Sequence, residues 1–358
     1  MVEAVVDAMR NDRYIGGENV VKFEEEFARF IGVKHAIATN SGTSALQFIL
    51  ESLNLQRKSV VTTPMSFIAS ANAVLHANGV PVFGDIRNQD YCLDPERARE
   101  RLSDGASALL PVHIFGHPAD MEGFRALSEE YDVPIIEDAC QAHGAEFQGK
   151  RAGSIGRAAA FSFYTSKNLT VLGDGGMITT NDDDLALTVR KLGNSGRISK
   201  YEHDILGFTS RLNSLNAAIG RVQLRKLVDW NNRRRTLAAL YFRHLSALPL
   251  FLPAPSQTVT PVFHQFVVRT RQRDRLKEFL ESSGVECGIH YPLPIHLQPL
   301  YRRMYQYREG MFPISESFAE ECLSLPMHPL LADDDVKFVC ERIQSFFSGG
   351  SSTPRSIV

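Results

Sequence analysis

The stretch Phe161-Ser162-Phe163-Tyr164-Thr165-Ser166-Lys167-Asn168 reads as an apolar strand that ends in a lysine. A glycine turn, Gly173-Asp174-Gly175-Gly176, follows it. Upstream, the apolar strand Val133-Pro134-Ile135-Ile136 ends in Glu137-Asp138. Arginine far outnumbers lysine in this chain, so a lysine closing an apolar strand stands out. A lysine able to form a Schiff base and a carboxylate at a strand end are the pair that pyridoxal 5'-phosphate (PLP) chemistry uses. Taken singly, each residue has a plain alternative: a surface lysine, and a helix-capping or ion-paired aspartate.

Working outward, short apolar strands alternate with helical stretches. The strand candidates are 35–39, 59–63, 80–85, 108–113, 133–138, 158–163 and 176–180. Helices are expected at 44–53, 68–78, 95–102 and 121–131, then from the cap at Asn181-Asp182-Asp183-Asp184 to Leu192, and over 214–247. Residues 1–30 also read as helical, with Phe23, Phe27 and Phe30 on a core-facing side and a glycine loop at Tyr14-Ile15-Gly16-Gly17. Continuous Val/Ile/Leu strands separated by helices predict an α/β fold with a mostly parallel, seven-stranded sheet covered on both faces. Ligands bind such sheets at the carboxyl ends of the strands, where Asp85, His113, Asp138 and the residues after Phe163 fall. Pro249, Pro253, Ala254, Pro255 and Ser256 form a breaker-rich link. The expected division is a large domain over 1–245, a smaller α+β domain over 246–347, and a disordered tail over 348–358. Within the smaller domain a strand is expected at 262–269 and helices at 272–282 and 333–347.

At 358 residues the chain has room for about two domains of roughly 150 residues each. Its 44% apolar and 22% charged residues suit an ordinary soluble protein. A formal net charge of −2 gives no bulk attraction to nucleic acid or anionic membrane. The cysteines Cys92, Cys140, Cys287, Cys322 and Cys340 are widely spaced and form no CxxC pair, which points to reduced thiols. No apolar run reaches the ~20 residues of a membrane span. A cytoplasmic protein is expected.

Asn40-Ser41-Gly42-Thr43-Ser44-Ala45-Leu46 follows a strand and opens a helix, so it reads either as a phosphate cradle or as a plain helix cap. Ser162 would face the same phosphate. Asp138, ending a buried strand, needs a positive partner, and a pyridinium nitrogen is one. His113 and His117 stand four residues apart, but the Gly-Pro context argues against the helix a zinc site needs there, and no metal is expected. His290-Tyr291-Pro292-Leu293-Pro294-Ile295-His296 reads as a rigid loop shaping a pocket.

In order along residues 10–345, these motifs resemble the DegT/StrS-type sugar aminotransferases, a fold-type-I PLP-dependent family. The matching segments include Tyr14–Gly17, Asn40–Leu46, Thr63-Pro64-Met65-Ser66-Phe67, Glu137–Gly144, Ser162 with Lys167, Gly207-Phe208-Thr209-Ser210-Arg211-Leu212-Asn213, His290-Tyr291-Pro292 and Leu325-Pro326-Met327-His328-Pro329. The resemblance implies that Lys167 is the Schiff-base lysine and Asp138 the ring-nitrogen partner. It further implies that Gln141 lies on the ring-hydroxyl side, Phe67 stacks on the ring, and Gly42, Thr43 and Ser162 bind the phosphate. Tyr14, His290, Tyr291 and His328 would frame the substrate. The family places Asn where this chain has Thr209, a residue that reaches the phosphate from the neighbouring subunit; a Thr hydroxyl is a shorter donor.

The implied reaction moves an amino group from L-glutamate or L-glutamine to a keto sugar, nucleotide-linked, in a homodimer with shared sites. Relatives carrying His in place of the lysine are dehydratases; the lysine here favours transamination. A keto-cyclitol substrate and a PLP-binding regulator without turnover are the alternatives. No helix-turn-helix segment supports the regulator. A nicotinamide dehydrogenase is disfavoured because no GxGxxG fills the first βα turn.

Overall fold

The computed structural model describes residues 1–253 and 257–349. Ala254, Pro255 and Ser256 of the expected link, and the expected tail from residue 350 on, lie outside the described residues.

The N-terminal stretch forms two helices, α1 (Val2–Asn11) and α2 (Glu18–Ile31), parted by the Tyr14–Gly17 loop. Strands and helices then alternate: β1 (His35–Thr39), α3 (Gly42–Ser52), β2 (Ser59–Thr62), α4 (Ala69–His76), β3 (Val80–Phe83), α5 (Pro95–Ser103), β4 (Ala108–Leu109), α6 (Met121–Tyr131) and β5 (Ile136–Asp138). The short strands β6 (Glu146–Phe147) and β7 (Lys150–Arg151) precede β8 (Ala158–Ser162) and β9 (Gly176–Thr180). Helices α7 (Asp183–Gly193) and α8 (Ser214–Leu245) follow. The C-terminal part holds β10 (Val259–Thr260), β11 (Phe266–Arg269), α9 (Arg273–Ser282), α10 (Pro299–Tyr305), α11 (Pro313–Glu321), β12 (Cys322–Leu325) and α12 (Asp333–Phe347). Side-chain caps set several helix starts: Asp94 for α5, Asp120 for α6, Asp182 for α7 and Asn213 for α8 each accept from a backbone N–H of the first turn.

Two ladders make up the central sheet region, in the orders β1-β9-β8-β5 and β3-β2-β4. Pairing is parallel between β5 and β8 and on both sides of β2, whereas β9 runs antiparallel to β1 and β8. Between the two ladders only single parallel bridges form, Leu109 with Ile135 and Val112 with Asp138. The sequence reading has these seven strands in one sheet. The reason for the break is chemical: Pro111 and Pro134 face this seam and neither has an N–H to give. Their carbonyls still accept, from Asp138 N and Leu109 N at 3.0 Å each.

Both faces of the sheet are buried, and β8 shows how. Ala158 and Ala160 pack with Leu46 and Ile49 of α3 and Val189 of α7. Ala159 and Phe161 point the other way, onto Phe23 and Phe27 of α2 and Leu227 of α8. This period-two alternation between two apolar layers is why the strand reads as continuously apolar. A separate apolar cluster joins Leu237, Tyr241 and Leu245 at the end of α8 to β11, α9, β12 and α12. β11 starts at Phe266, four residues later than the expected 262, which leaves His264 and Gln265 in a loop.

Candidate active site

Loops that follow β1, β2, β5 and β8 meet at a cavity of about 460 Å3. Each leaves the carboxyl end of its strand, as open parallel sheets favour. Two later segments, His264-Gln265 and His290-Tyr291, complete the wall.

Ser41 caps α3, its Oγ accepting from Ser44 N at 3.1 Å, so the first turn of α3 with Gly42 and Thr43 opens onto the cavity. A Cβ on Gly42 would lie 2.8 Å from Cys140 Sγ and 2.9 Å from Ser162 Cβ. Only glycine lets the helix start come this close to the end of β8. Gly42→Ala is therefore expected to cost about 1–3 kcal/mol through overpacking. Its measurable form is a lower melting temperature together with weaker retention of added PLP.

Asp138 is 4% exposed at the end of β5. Ser70 Oγ donates to its Oδ2 at 2.7 Å, Ser66 donates in turn to Ser70 at 2.8 Å, and Cys140 N donates to Oδ1 at 3.2 Å. Among the described residues no cationic side chain is within ion-pair distance of it, so the cavity itself is where its charge can be met. Lys167 is half-buried on the same cavity. β8 stops at Ser162, and Lys167 sits in a turn with its N–H on Tyr164 O at 2.9 Å, so it follows the strand and does not end it. Burial holds its amine below the usual lysine range, against the opposing pull of Asp138.

Gln141 is fixed at both ends of its amide: Oε1 accepts from Phe115 N at 2.7 Å, and Nε2 donates to Tyr291 OH at 3.2 Å. Burial pushes the Tyr291 hydroxyl up to about 12, so it stays protonated. Phe67 is 56% exposed at the mouth, its ring centroid 6.2 Å from that of Tyr291. His290 lines the cavity with Nδ1 on Ser324 Oγ at 2.9 Å. Gly42, Thr43, Phe67, Asp138, Gln141, Ser162, Lys167, His290 and Tyr291 are thus brought together. Three expected site residues lie elsewhere on this chain. Tyr14 is exposed with its hydroxyl on Met9 O, His328 is exposed after β12, and Thr209 meets Ser195 Oγ at 3.3 Å on an exposed loop.

The other strand-end residues have structural work. Asp85 accepts from the backbone N–H groups of Ile314 and Ser315 at 2.9 Å each, holding the start of α11. His113 Nδ1 accepts from Ala119 N at 3.0 Å, so its proton is on Nε2, which donates to the buried Glu137 at 2.9 Å. Sequence reading missed Ser70, His264 and Gln265. Ser70 sits inside α4, and the two C-terminal residues were read as strand; no motif marked any of them.

Burial, and then the charge of Lys167, push the fully buried His143 imidazole down to about 3. His264 is driven down for the same two reasons. Because the folded value lies below the ordinary 6.5, the unfolded chain takes up protons between pH 6.5 and about 3 that the folded chain refuses. The stability from these groups is complete above pH 6.5 and is lost as the pH falls through that window. His143→Leu is expected to flatten the acid limb by about 1–2 kcal/mol near pH 5, read from melting temperatures between pH 4 and 8.

Residues 1–344 match the DegT/DnrJ/EryC1/StrS aminotransferase family. The chain belongs to this family. Among its relatives is the dTDP-3-amino-3,4,6-trideoxy-alpha-D-glucose transaminase of Streptomyces venezuelae, 41% identical over 92% of this chain and 87% of the relative. A protein of Geobacillus stearothermophilus described as a pleiotropic regulatory protein is 38% identical over 95% of this chain and 92% of its own length. The crystal structure of S. venezuelae DesV in complex with a ketimine intermediate superposes with a TM-score of 0.94 at 39% identity, covering 96% of this chain and 93% of that one. NtdA from Bacillus subtilis, solved with bound cofactor PMP, superposes with a TM-score of 0.89 at 29% identity, covering 97% and 82%. The fold is the α/β fold of these DegT-family aminotransferases. This member of the family is a PLP-dependent aminotransferase. Among its described residues no helix is long and apolar enough to cross a membrane.

Proposed function

We propose that this aminotransferase moves an amino group from L-glutamate, or L-glutamine, to the keto carbon of a nucleotide-linked sugar, as a homodimer with shared sites. The observation that carries the reading is the meeting of Lys167, Asp138 and the Gly42–Thr43–Ser162 cradle at one cavity. The donor set suits PLP. The start of α3 offers backbone N–H groups and hydroxyls to a phosphate. The buried Asp138 carboxylate suits a protonated ring nitrogen. Gln141 and Phe67 suit the ring's hydroxyl edge and its face. Bound PLP supplies the carbon that exchanges amines and a ring that takes up the electron pair released when a Cα–H bond breaks.

Lys167 Nζ is the base that takes the proton from the substrate Cα, and burial raises the fraction of free amine available for it. His290 and Tyr291 face the substrate from the same chain. Thr209 and Tyr14, neither of which lines this chain's cavity, serve the site of the second copy in this reading. Exposed Phe67 and Tyr164 on the cavity, and exposed Leu172, Ile198, Tyr201 and Leu206 outside its lining, support a covering partner copy. We also read the two ladders as halves of one seven-stranded sheet, and 1–245 and 246–347 as two domains. The second apolar cluster supports that division.

The nucleotide-linked substrate draws its support from the relatives, whose names include transaminases of dTDP- and UDP-linked sugars. The test is amine transfer from L-glutamate to a panel of dTDP- and UDP-linked keto sugars, read by mass spectrometry. Formation of one amino sugar is the expected result. Transfer to keto-cyclitols, with no nucleotide sugar accepted, would replace this reading.

A further inference from the structure

One edge of the cavity is set by a chain of buried amides that the proposed reaction does not use. Asn231 Nδ2 donates to His143 O at 2.8 Å, a carbonyl that can only accept, so Asn231 turns its Oδ1 toward Asn168. Asn168 Nδ2 donates to that Oδ1 at 3.1 Å and to Val262 O at 3.2 Å. Its own Oδ1 is therefore the atom left for His264 Nδ1, 3.2 Å away. An oxygen at that position requires the proton on His264 Nδ1. Burial and the nearby Lys167 keep the ring neutral, so Nε2 is a bare acceptor. His264 is 7% exposed, lines the cavity, and spends its Nδ1 edge on Asn168, which leaves the Nε2 edge for the cavity. Arg234 holds the His264 backbone in place, its Nη1 donating to His264 O at 3.2 Å and to Phe263 O at 2.9 Å.

We propose that His264 is a substrate-binding residue whose Nε2 accepts a hydrogen bond from a hydroxyl of the sugar. This rests on the keto-sugar reading above. The chemistry separates the two substrates. At neutral pH the two carboxylates of L-glutamate have no hydrogen to give, so a bare acceptor does nothing for them, whereas a sugar hydroxyl donates. The amide chain serves as the device that fixes the tautomer.

The holoenzyme can be loaded with amine from either side, and each loading is read as the absorbance change of the PLP form. The probes are L-glutamate and a panel of dTDP- and UDP-linked amino sugars that includes dTDP-3-amino-3,6-dideoxy-alpha-D-galactopyranose and dTDP-3-amino-3,4,6-trideoxy-alpha-D-glucose. In His264→Phe the amino-sugar rate at sub-saturating concentration is expected to fall about 3–10-fold further than the glutamate rate, the value of one neutral hydrogen bond. His264→Gln, which restores an acceptor oxygen, is expected to recover most of that difference and also covers the case of a Phe variant that does not fold. Equal losses with both probes would make His264 structural or a partner of Lys167 and would overturn the proposal. So would a Gln variant no better than Phe, or no loss at all. Wild-type enzyme that glutamate loads but no amino sugar of the dTDP- and UDP-linked panel does overturns the nucleotide-sugar reading itself, and the proposal with it.

Discussion

Lys167→Ala is expected to lower amine transfer by about 10²–10⁴-fold, the range for loss of a positioned acid–base group. Nothing else on the cavity wall can take the lysine's place. Among the lining residues Lys167 is the one primary amine, and so the one group there that can form a Schiff base. Folding is a separate matter. Removing a half-buried amine with no ion-pair partner among the described residues relieves a desolvation cost, so the melting temperature of the apo protein is expected to hold or rise. A variant that is inactive because it is unfolded would show the opposite. The spectrum gives a second check: the visible band of lysine-bound PLP is expected to vanish in Lys167→Ala, with PLP still held at the phosphate cradle.

Asp138→Asn carries the second-largest effect. The amide keeps the shape: its oxygen can accept from Cys140 N, and its NH2 can donate to Ser70 Oγ, now 2.7 Å from Oδ2. It cannot supply the negative charge that keeps a ring nitrogen protonated. Breaking a buried pair in this way costs about 3–5 kcal/mol, which is roughly 160- to 5,000-fold in rate. The sign on stability is again diagnostic. Without cofactor the carboxylate is a buried charge with hydrogen bonds but no cation, so the apo variant is expected to be no less stable than wild type. Stopped-flow loading from L-glutamate checks the rate, and thermal melts with and without PLP check the stability. A large loss of apo stability with unchanged loading would assign Asp138 to packing.

Several elements were legible to the residue. The bounds of β1, β9, α6 and α12 coincide with the sequence reading because their ends carry strong local signals. Asp120 caps α6, Asp182 and the acidic run after it follow β9, and Asp333-Asp334-Asp335 open α12. The sheet seam was less legible. Pro111 and Pro134 lie in runs that read as strand by apolar content, yet their missing N–H groups reduce pairing there to single bridges. At the site, Lys167 and Asp138 were visible because a charged residue after an apolar strand is conspicuous. Gln141 and Phe67 entered only through family resemblance. His264 was invisible for a different reason. Its place depends on Asn168 and Asn231, residues 96 and 63 positions away along the chain from their partners, and no local pattern encodes such a link. Ser70 reaches Asp138 across a gap of 68 positions in the same way.

Borohydride reduction of the PLP-loaded protein, followed by peptide mapping, asks the decisive question of which atom the cofactor is joined to. Reduction is expected to fix a single phosphopyridoxyl group on Lys167, and prior loading with L-glutamate is expected to prevent it. A group fixed on any other lysine, or a protein that PLP leaves unmodified, would contradict the site described here.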